Sequence, residues 1–543
     1  MNRRLPTTLP PLLLSLLLTM GVASAQDSRL PDMGSSAGTV LSPVQQDQYG
    51  AMTLSQLRNA GYVLDDPLLD DWLDDVGQRL ASVSAKPQQH FTFFMLKVRE
   101  INAFATLGGY VGVNAGLVLA ARNEDEVAGV LVHEISHVTQ NHVLRGAEKA
   151  QRESIPILLA TLGAIIAAQK SGSTNSGDAA SAAVMTGLGV LQQRQISYTR
   201  DNEAEADRIG IRTMARAGYN PEAMADFFQT LQAWVQMNQG DLRAQVPDYL
   251  QTHPLTLTRI SEARERADKL EAQPRAFTSF TPSSNPLLPP DLRVLPARTT
   301  PAAKPGGARF GFARERLRAL SASTAAQAIR EYQQMQKPGK PLDDGERYGL
   351  AVAYQQAGQY AQALQELQPL LQTQPDNLWV QVTAGEAESA SGRIAESDRR
   401  FEALLSRMPT RAAVALSYAR VLAARNTPAA GTRAVAVLRP LLADHADSPL
   451  LQQIYARANE IAGDPVRAGE AWAEAAYLDG RPEQALVQLN NLKKRPDLDY
   501  YARSRIDARI AAITPVVLEL RRQGVRDEDV DSGRLGFGIG TSR

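Results

Sequence analysis

Two histidines four residues apart, His133 and His137, with Glu134 directly after the first, lie in the stretch VLVHEISHVTQNH from Val130 to His142. On a helix such a pair shares one face. Two imidazoles one turn apart can bind a single zinc ion per chain and leave positions for a third protein ligand and a water. Glu134 can then act on that water as general base, while the metal lowers its pKa and polarises a scissile carbonyl. His-Glu-x-x-His also arises by chance, so the chemistry demands a third ligand. SYTRDNEAEADRIGIRTMARAGYN supplies one, because Glu203 and Asp207 are again four apart. Glu203 is the expected third metal ligand. Asp207 is expected to hold a ligand histidine by its free ring N–H, which sets the tautomer, and Glu205 to point away into solvent.

These side chains need rigid supports. In NAGLVLAARNEDEVAGVLVHEISHVTQNHVL, Asn123 reads as an N-cap with Glu126 three positions on, and the acidic first turn suits the positive end of the helix dipole. The metal helix is therefore expected to start near Glu124, with Val127, Val130, Leu131 and Val138 packing inward. His142, five residues after His137, would lie about 140° round an uninterrupted helix and is expected not to see the metal. His90 and His445 are also left outside the site. On the second helix Gly218 reads as the terminator, with Asn220 capping a third helix and Pro221 at its first position. FTFFMLKV, from Phe91 to Val98, reads as a strand.

Together, HEISH and RDNEAEAD resemble the zinc peptidase family that contains the prenyl-protein proteases and the bacterial heat-shock membrane protease. The matches to its two motifs are His133, Glu134, His137, Arg200, Glu203, Ala206 and Asp207. Arg200 is expected to serve as a structural ion-pair residue. INAFATLGGYVGVNAGLV, from Ile101 to Val118, is similar to the family segment just before the metal helix. The resemblance implies a hairpin or edge strand there, with Asn102, Ala103 and Phe104 as the strand on which an extended substrate adds. YLQTHPLTLTRI is similar to the family's His-Pro segment, and Pro254 pushes His253 toward an extended backbone. His253 is thus expected to face the zinc, either stabilising the tetrahedral intermediate or filling the open coordination position to keep the enzyme latent.

The remaining chain adds an address and a second module. Residues 1–25, MNRRLPTTLPPLLLSLLLTMGVASA, read as a secretory signal peptide cleaved after Ala25, and no cysteine follows for a lipid anchor. The expected destination is the periplasm. Lys+Arg and Asp+Glu number 58 each, and losing Arg3 and Arg4 leaves 56 against 58, a net charge of −2. That balance gives no support to nucleic-acid binding. The absence of any cysteine removes thiolate metal sites, thiol catalysis and disulfides.

Residues 42–272 mix strand and helix patterns, and 273–308 read as a Pro-rich linker. In 309–522 the punctuation repeats: Gly358 and Gly392 are 34 apart, as are Pro375 and Pro409. Each unit reads as helix, glycine turn, helix and proline, which resembles the tetratricopeptide repeat. Residues 523–543 read as a disordered tail. Two apolar stretches within 155–191 are too short to span a bilayer; peripheral membrane contact, a lid over the cleft and a buried helical hairpin all stay open.

The fold class expected is mainly α (α+β): a zincin-like metallopeptidase domain with a small sheet, followed by an all-α repeat solenoid. The resemblance implies a zinc metalloendopeptidase that acts on unfolded substrates, namely stalled or misfolded barrel precursors, with the outer-membrane barrel assembly machinery as partner. The rival is a latent or non-proteolytic chaperone or adaptor that works through its repeats.

Overall fold

The computed structural model describes residues 41–59, 61–146, 148, 199–237, 247, 249–250, 253–271, 307–443 and 445–522. The signal segment, the apolar stretches within 155–191, nearly all of the linker and the tail 523–543 lie outside them. Among the described residues no helix is long and apolar enough to cross a membrane.

The N-terminal half is built around helix α2 (Pro67–Ala81), which follows α1 (Pro43–Asn59). Asp66 caps α2 by accepting the Leu69 N–H, and Pro67 occupies the first turn, where no N–H is required. Its apolar stripe of Leu69, Trp72, Leu73, Val76 and Leu80 is buried, as the helical period dictates. The opposite face carries Asp70, Asp71, Asp74 and Asp75.

Three strands follow in the order β1-β3-β2. β1 (Thr92–Leu96) pairs in parallel with β3 (Tyr110–Asn114), and β2 (Ala103–Ala105) runs antiparallel to β3 with Phe104 opposite Gly112. β1 is shorter than the expected Phe91–Val98 because Lys97 turns its N–H to Tyr62 and Val98 gives its carbonyl to Gly116, leaving the ladder. β2 ends the sheet, so one side of its backbone is not used by the ladder.

After α3 (Ala115–Ala120), α4 (Glu124–Thr139) begins with its Asn123 cap accepting from the Glu126 N–H at 3.0 Å. The Glu126 carboxylate reaches back to the Arg122 N–H and Nε at 2.8 and 2.7 Å. α4 is anchored to α2 by Trp72, whose ring N–H donates to Glu124 at 2.9 Å. Helix α5 spans 199–217 and ends at Gly218, where φ is 85°. Asn220 caps through its side chain, but α6 (Ala223–Met237) begins beyond Pro221. Gly129 of α4 lies against this helix: a Cβ there would come 3.1 Å from the Met224 Cα, so only glycine allows so close a crossing. α7 (Leu257–Glu271) completes this half.

From Gly307 the chain is helix after helix. α8 (Gly307–Leu320) and α9 (Ala325–Met335) precede the first unit of period 34, and α8 starts inside the stretch expected to be linker. Then come α10 (Asp344–Gln356) with α11 (Tyr360–Thr373), and α12 (Leu378–Ala390) with α13 (Ile394–Arg407). α14 (Ala412–Ala424) pairs with α15 (Pro428–Leu438), α16 (Pro449–Ala462) with α17 (Pro465–Leu478), and α18 (Pro482–Lys493) with α19 (Tyr500–Arg522). Gly358 and Gly392 take positive φ at 72° and 88° in the turns where the repeat pattern put them.

The helical half packs on the N-terminal half through the acidic face of α2. Arg411 reaches Asp71 at 2.5 Å and Asp75 at 3.3 Å, and Arg309 reaches Asp75 at 2.7 Å. Arg316, buried, grips Asp66 with two bonds of 2.8 and 2.7 Å and donates to Tyr348 and Thr383 at 3.1 Å each. At the far end Arg58 of α1 pairs with Asp479 at 2.6 Å, and Leu520 packs on Met52.

Candidate metal centre

α4 and α5 bring the predicted residues together. His133 Nε2, His137 Nε2, Glu203 and His253 offer ligand atoms that all lie within 4.8 Å of one another. His133 Nε2 is 3.0 Å from His137 Nε2, 3.2 Å from Glu203 Oε2 and 3.3 Å from His253 Nδ1. His137 Nε2 is 3.3 Å from Glu203 Oε1, and His253 Nδ1 is 3.0 Å from the same oxygen. Three imidazole nitrogens aimed at one point cannot satisfy one another by hydrogen bonds alone, since each neutral ring has one donor and one acceptor. A cation at their convergence accounts for the arrangement, and a set of imidazoles with one carboxylate suits zinc and its neighbours in the first transition row.

Glu134 is buried beside this set. Its Oε1 has no hydrogen-bond partner among the described residues and lies 3.5 Å from His253 Nε2. The backbone N–H of Ala105 on β2 faces the carboxylate and favours its charged form. Burial raises its pKa despite the pull of His253 and His133, which suits a base that must take up a proton. Burial drives His137 down to about 3, so this ring is held neutral and able to ligate. Burial also opposes charge on His133, but Glu203 and Asp207 together carry it up to about 10; a cation would take that proton's place. Glu203 is resisted by burial yet held well below the usual carboxylate range by His133, His137 and His253.

Asp207 Oδ1 lies 2.9 Å from His133 Nδ1. Asp207 is itself gripped by Arg259, which places Nε 2.8 Å from Oδ2 and Nη2 2.9 Å from Oδ1. The same guanidinium contacts Glu203 at 2.9 Å, donates to the Pro254 carbonyl at 2.9 Å and stacks over Phe228 with 4.9 Å to the ring centroid. Arg259 was invisible to motif reading, although a buried Asp beside a buried Glu needs a cation, and "HPLTLTR" offers one on the next helix. Tyr249 stacks on His253 with ring centroids 4.7 Å apart.

His142 stands outside the group of candidate ligands, as expected, yet it is 4% exposed and its Nδ1 lies 2.9 Å from His137 Nδ1. It reaches that ring because α4 stops at Thr139 and Asn141 takes a left-handed φ of 55°, which re-aims the helical turn at 142–146. Two expectations, for Glu205 and Arg200, are corrected. Glu205 faces away from Glu203, as its spacing requires, yet it is not simply solvated: it meets His142 Nε2 and Arg145, each at 3.1 Å. Arg200 is exposed and makes no ion pair among the described residues, because it stands on the outer side of the first turn of α5. His90 and His445 lie apart from the centre, at the contact between the two halves.

Asn102, Ala103 and Phe104 lie at β2. The Asn102 carbonyl accepts from Asn114 and the Thr106 N–H donates to Tyr110, so by antiparallel alternation the backbone groups of Ala103 and Ala105 point away from β3. The Ala105 N–H is the one that meets Glu134, so the outer edge of β2 runs past the catalytic candidate.

Residues 67–267, from the start of α2 into α7, match the model of peptidase family M48. The chain is also 32% identical over 492 residues to the "Beta-barrel assembly-enhancing protease" of Yersinia pestis, covering 91% of this chain and 93% of that one. The chain belongs to peptidase family M48. A second M48 relative of the same printed name, from Escherichia coli strain K12, is 31% identical over 89% of this chain and 90% of its own. A "Mitochondrial metalloendopeptidase OMA1" from Schizosaccharomyces pombe is 26% identical over 208 residues, 38% of this chain and 55% of that one. The M48 chain is thus a metallopeptidase joined to a long helical region, mainly α with a small sheet.

Proposed function

We propose that this chain is a periplasmic zinc metalloendopeptidase that degrades misfolded or stalled outer-membrane β-barrel proteins and supports their assembly. In this reading it is exported by a leader cleaved after Ala25 and binds one zinc ion through His133, His137 and Glu203. The carrying observation is the convergence of those donor atoms beside Glu134, whose buried Oε1 lacks a partner. The role in barrel assembly rests on relatives of that printed name aligned along nine-tenths of the chain. Residues 42–272 would form the peptidase domain and 309–522 a tetratricopeptide solenoid that recruits the barrel assembly machinery, with 273–308 as linker and 523–543 as tail.

A bound zinc supplies a Lewis acid for the scissile carbonyl and for water at neutral pH. Glu134 takes the water's proton and returns it to the leaving amine, a role that its raised pKa suits. Asp207 and Arg259 hold His133 in place. The outer edge of β2, whose backbone groups at Ala103 and Ala105 point away from β3, aligns an extended substrate.

A second reading, a latent enzyme or chaperone, is favoured by one observation: His253 Nδ1 stands within 3.0 Å of Glu203 and 3.3 Å of His133, as a fourth donor in the set. Cleavage of casein by the zinc-loaded mature chain, run beside Glu134→Gln, tests both. The proteolytic reading expects cleavage lost by about 10²–10⁴-fold in the variant with zinc still bound. No cleavage by either protein points to the latent form.

A further inference from the structure

The second metal-binding histidine has a backing of its own, built from His142 and Arg145, outside both motifs, and from Glu205, at an unspecified position within the second. We infer that His142, supported by Glu205 and Arg145, is a positioning residue that sets the tautomer and direction of His137. This rests on the metal-centre reading above.

The geometry permits one assignment of protons. His137 turns Nε2 toward Glu203 and His133, so its Nδ1 must carry the proton if the ring is to ligate. That Nδ1–H faces His142 Nδ1 at 2.9 Å, which must therefore accept. His142 is then protonated on Nε2, which donates to Glu205 Oε2 at 3.1 Å. Arg145 Nη1 holds the same carboxylate oxygen at 3.1 Å and also donates to the Gln140 carbonyl at 3.3 Å, tying the chain of bonds to the end of α4. Every link has one donor and one acceptor. The rings of His137 and His142 cross edge to face with centroids 4.8 Å apart, so packing and hydrogen bonding fix the same orientation.

The two ligand histidines are thus supported from opposite sides of one helix. Asp207, pinned by Arg259, backs His133 directly. Glu205, pinned by Arg145, backs His137 through an interposed imidazole. Because Glu205 lies about 200° round α5 from Glu203, it cannot reach His137 itself, and the left-handed turn at Asn141 is what brings His142 into the gap.

The test is zinc affinity of the full mature chain, measured by competition with a chromophoric chelator, together with the visible spectrum of the Co²⁺-loaded protein. His142→Phe keeps a ring but no nitrogen and is expected to weaken zinc binding about 10–100-fold and to shift the cobalt spectrum, as loss of an outer partner does elsewhere. His142→Gln can accept from His137 through its carbonyl and donate to Glu205 through its amide, and should restore most of that affinity. Glu205→Ala, at a partly exposed position, should weaken zinc binding in the same direction and guards against a folding defect in the first variant. Thermal unfolding without metal checks all three. Wild-type affinity in both His142→Phe and Glu205→Ala overturns the inference while leaving the metal centre standing. Failure of the unaltered chain to bind zinc overturns the metal-centre reading itself.

Discussion

Arg259 concentrates more of the site's order than any ligand. Its guanidinium bonds two carboxylates and a carbonyl, so it joins α5, which carries Glu203 and Asp207, to the segment that carries His253. Removing a partner from a buried ion pair leaves an uncompensated charge and costs about 3–5 kcal/mol. Arg259→Met should lose that much stability in urea unfolding of the metal-free protein, with zinc restoring part of it because only the folded state binds. An unchanged midpoint would mean that the carboxylates find other partners. At His253 the two readings divide. Its place as a fourth donor predicts that His253→Ala raises basal casein cleavage; unchanged or reduced cleavage removes the latent-site idea.

Among the elements, β2 is the one whose role depends on being left incomplete. It is three residues long and ends the sheet, and one of its outward N–H groups faces Glu134. Proline is compatible with an edge strand when the lost N–H faces outward. Ala103→Pro should therefore raise KM for an extended peptide severalfold while zinc affinity stays close to wild type, with some loss of thermal midpoint because Ala103 is fully buried. An unaltered KM would show that substrates do not pair with this edge. α4 and α5 behave differently, since capping by Asn123 and termination at Gly218 fix their ends before any substrate arrives.

At the scale of the molecule, the peptidase and helical halves are locked by Asp66 and Arg316. Asp66 both caps α2 and receives the Arg316 fork, and that double use makes it hard to replace. Burial pushes its pKa up, but Arg316 more than offsets this and the value falls below 3.8. A depressed folded-state pKa adds stability at every pH above the unfolded value, and that stability is lost as pH falls through the folded one. Asp66→Asn should thus cost about 3–5 kcal/mol at pH 7. The gap to wild type should close progressively below roughly pH 4. Urea unfolding at pH 7 and pH 3 checks this; because Asn can still cap α2, a gap that persists undiminished at pH 3 would show that the charge of Asp66 is not its source.

Much of this was legible in the chain because it is local. The spacing of His133 with His137 and of Glu203 with Asp207 is set by the helical repeat, and helix ends follow from Asn123 and Gly218, whose conformations need no distant partner. The repeat period survives as positive-φ glycines at 358 and 392 for the same reason. What only the tertiary structure decided is contact between segments far apart in sequence. The contact of His142 with His137 was hidden because one left-handed residue ends the periodicity on which the helix wheel depends, and Glu205 was misjudged because its partner lies 63 residues away. Arg259 and Arg316 carry no motif at all. Each is placed by the need of a buried carboxylate for a cation, a requirement that appears only once folding has removed the water.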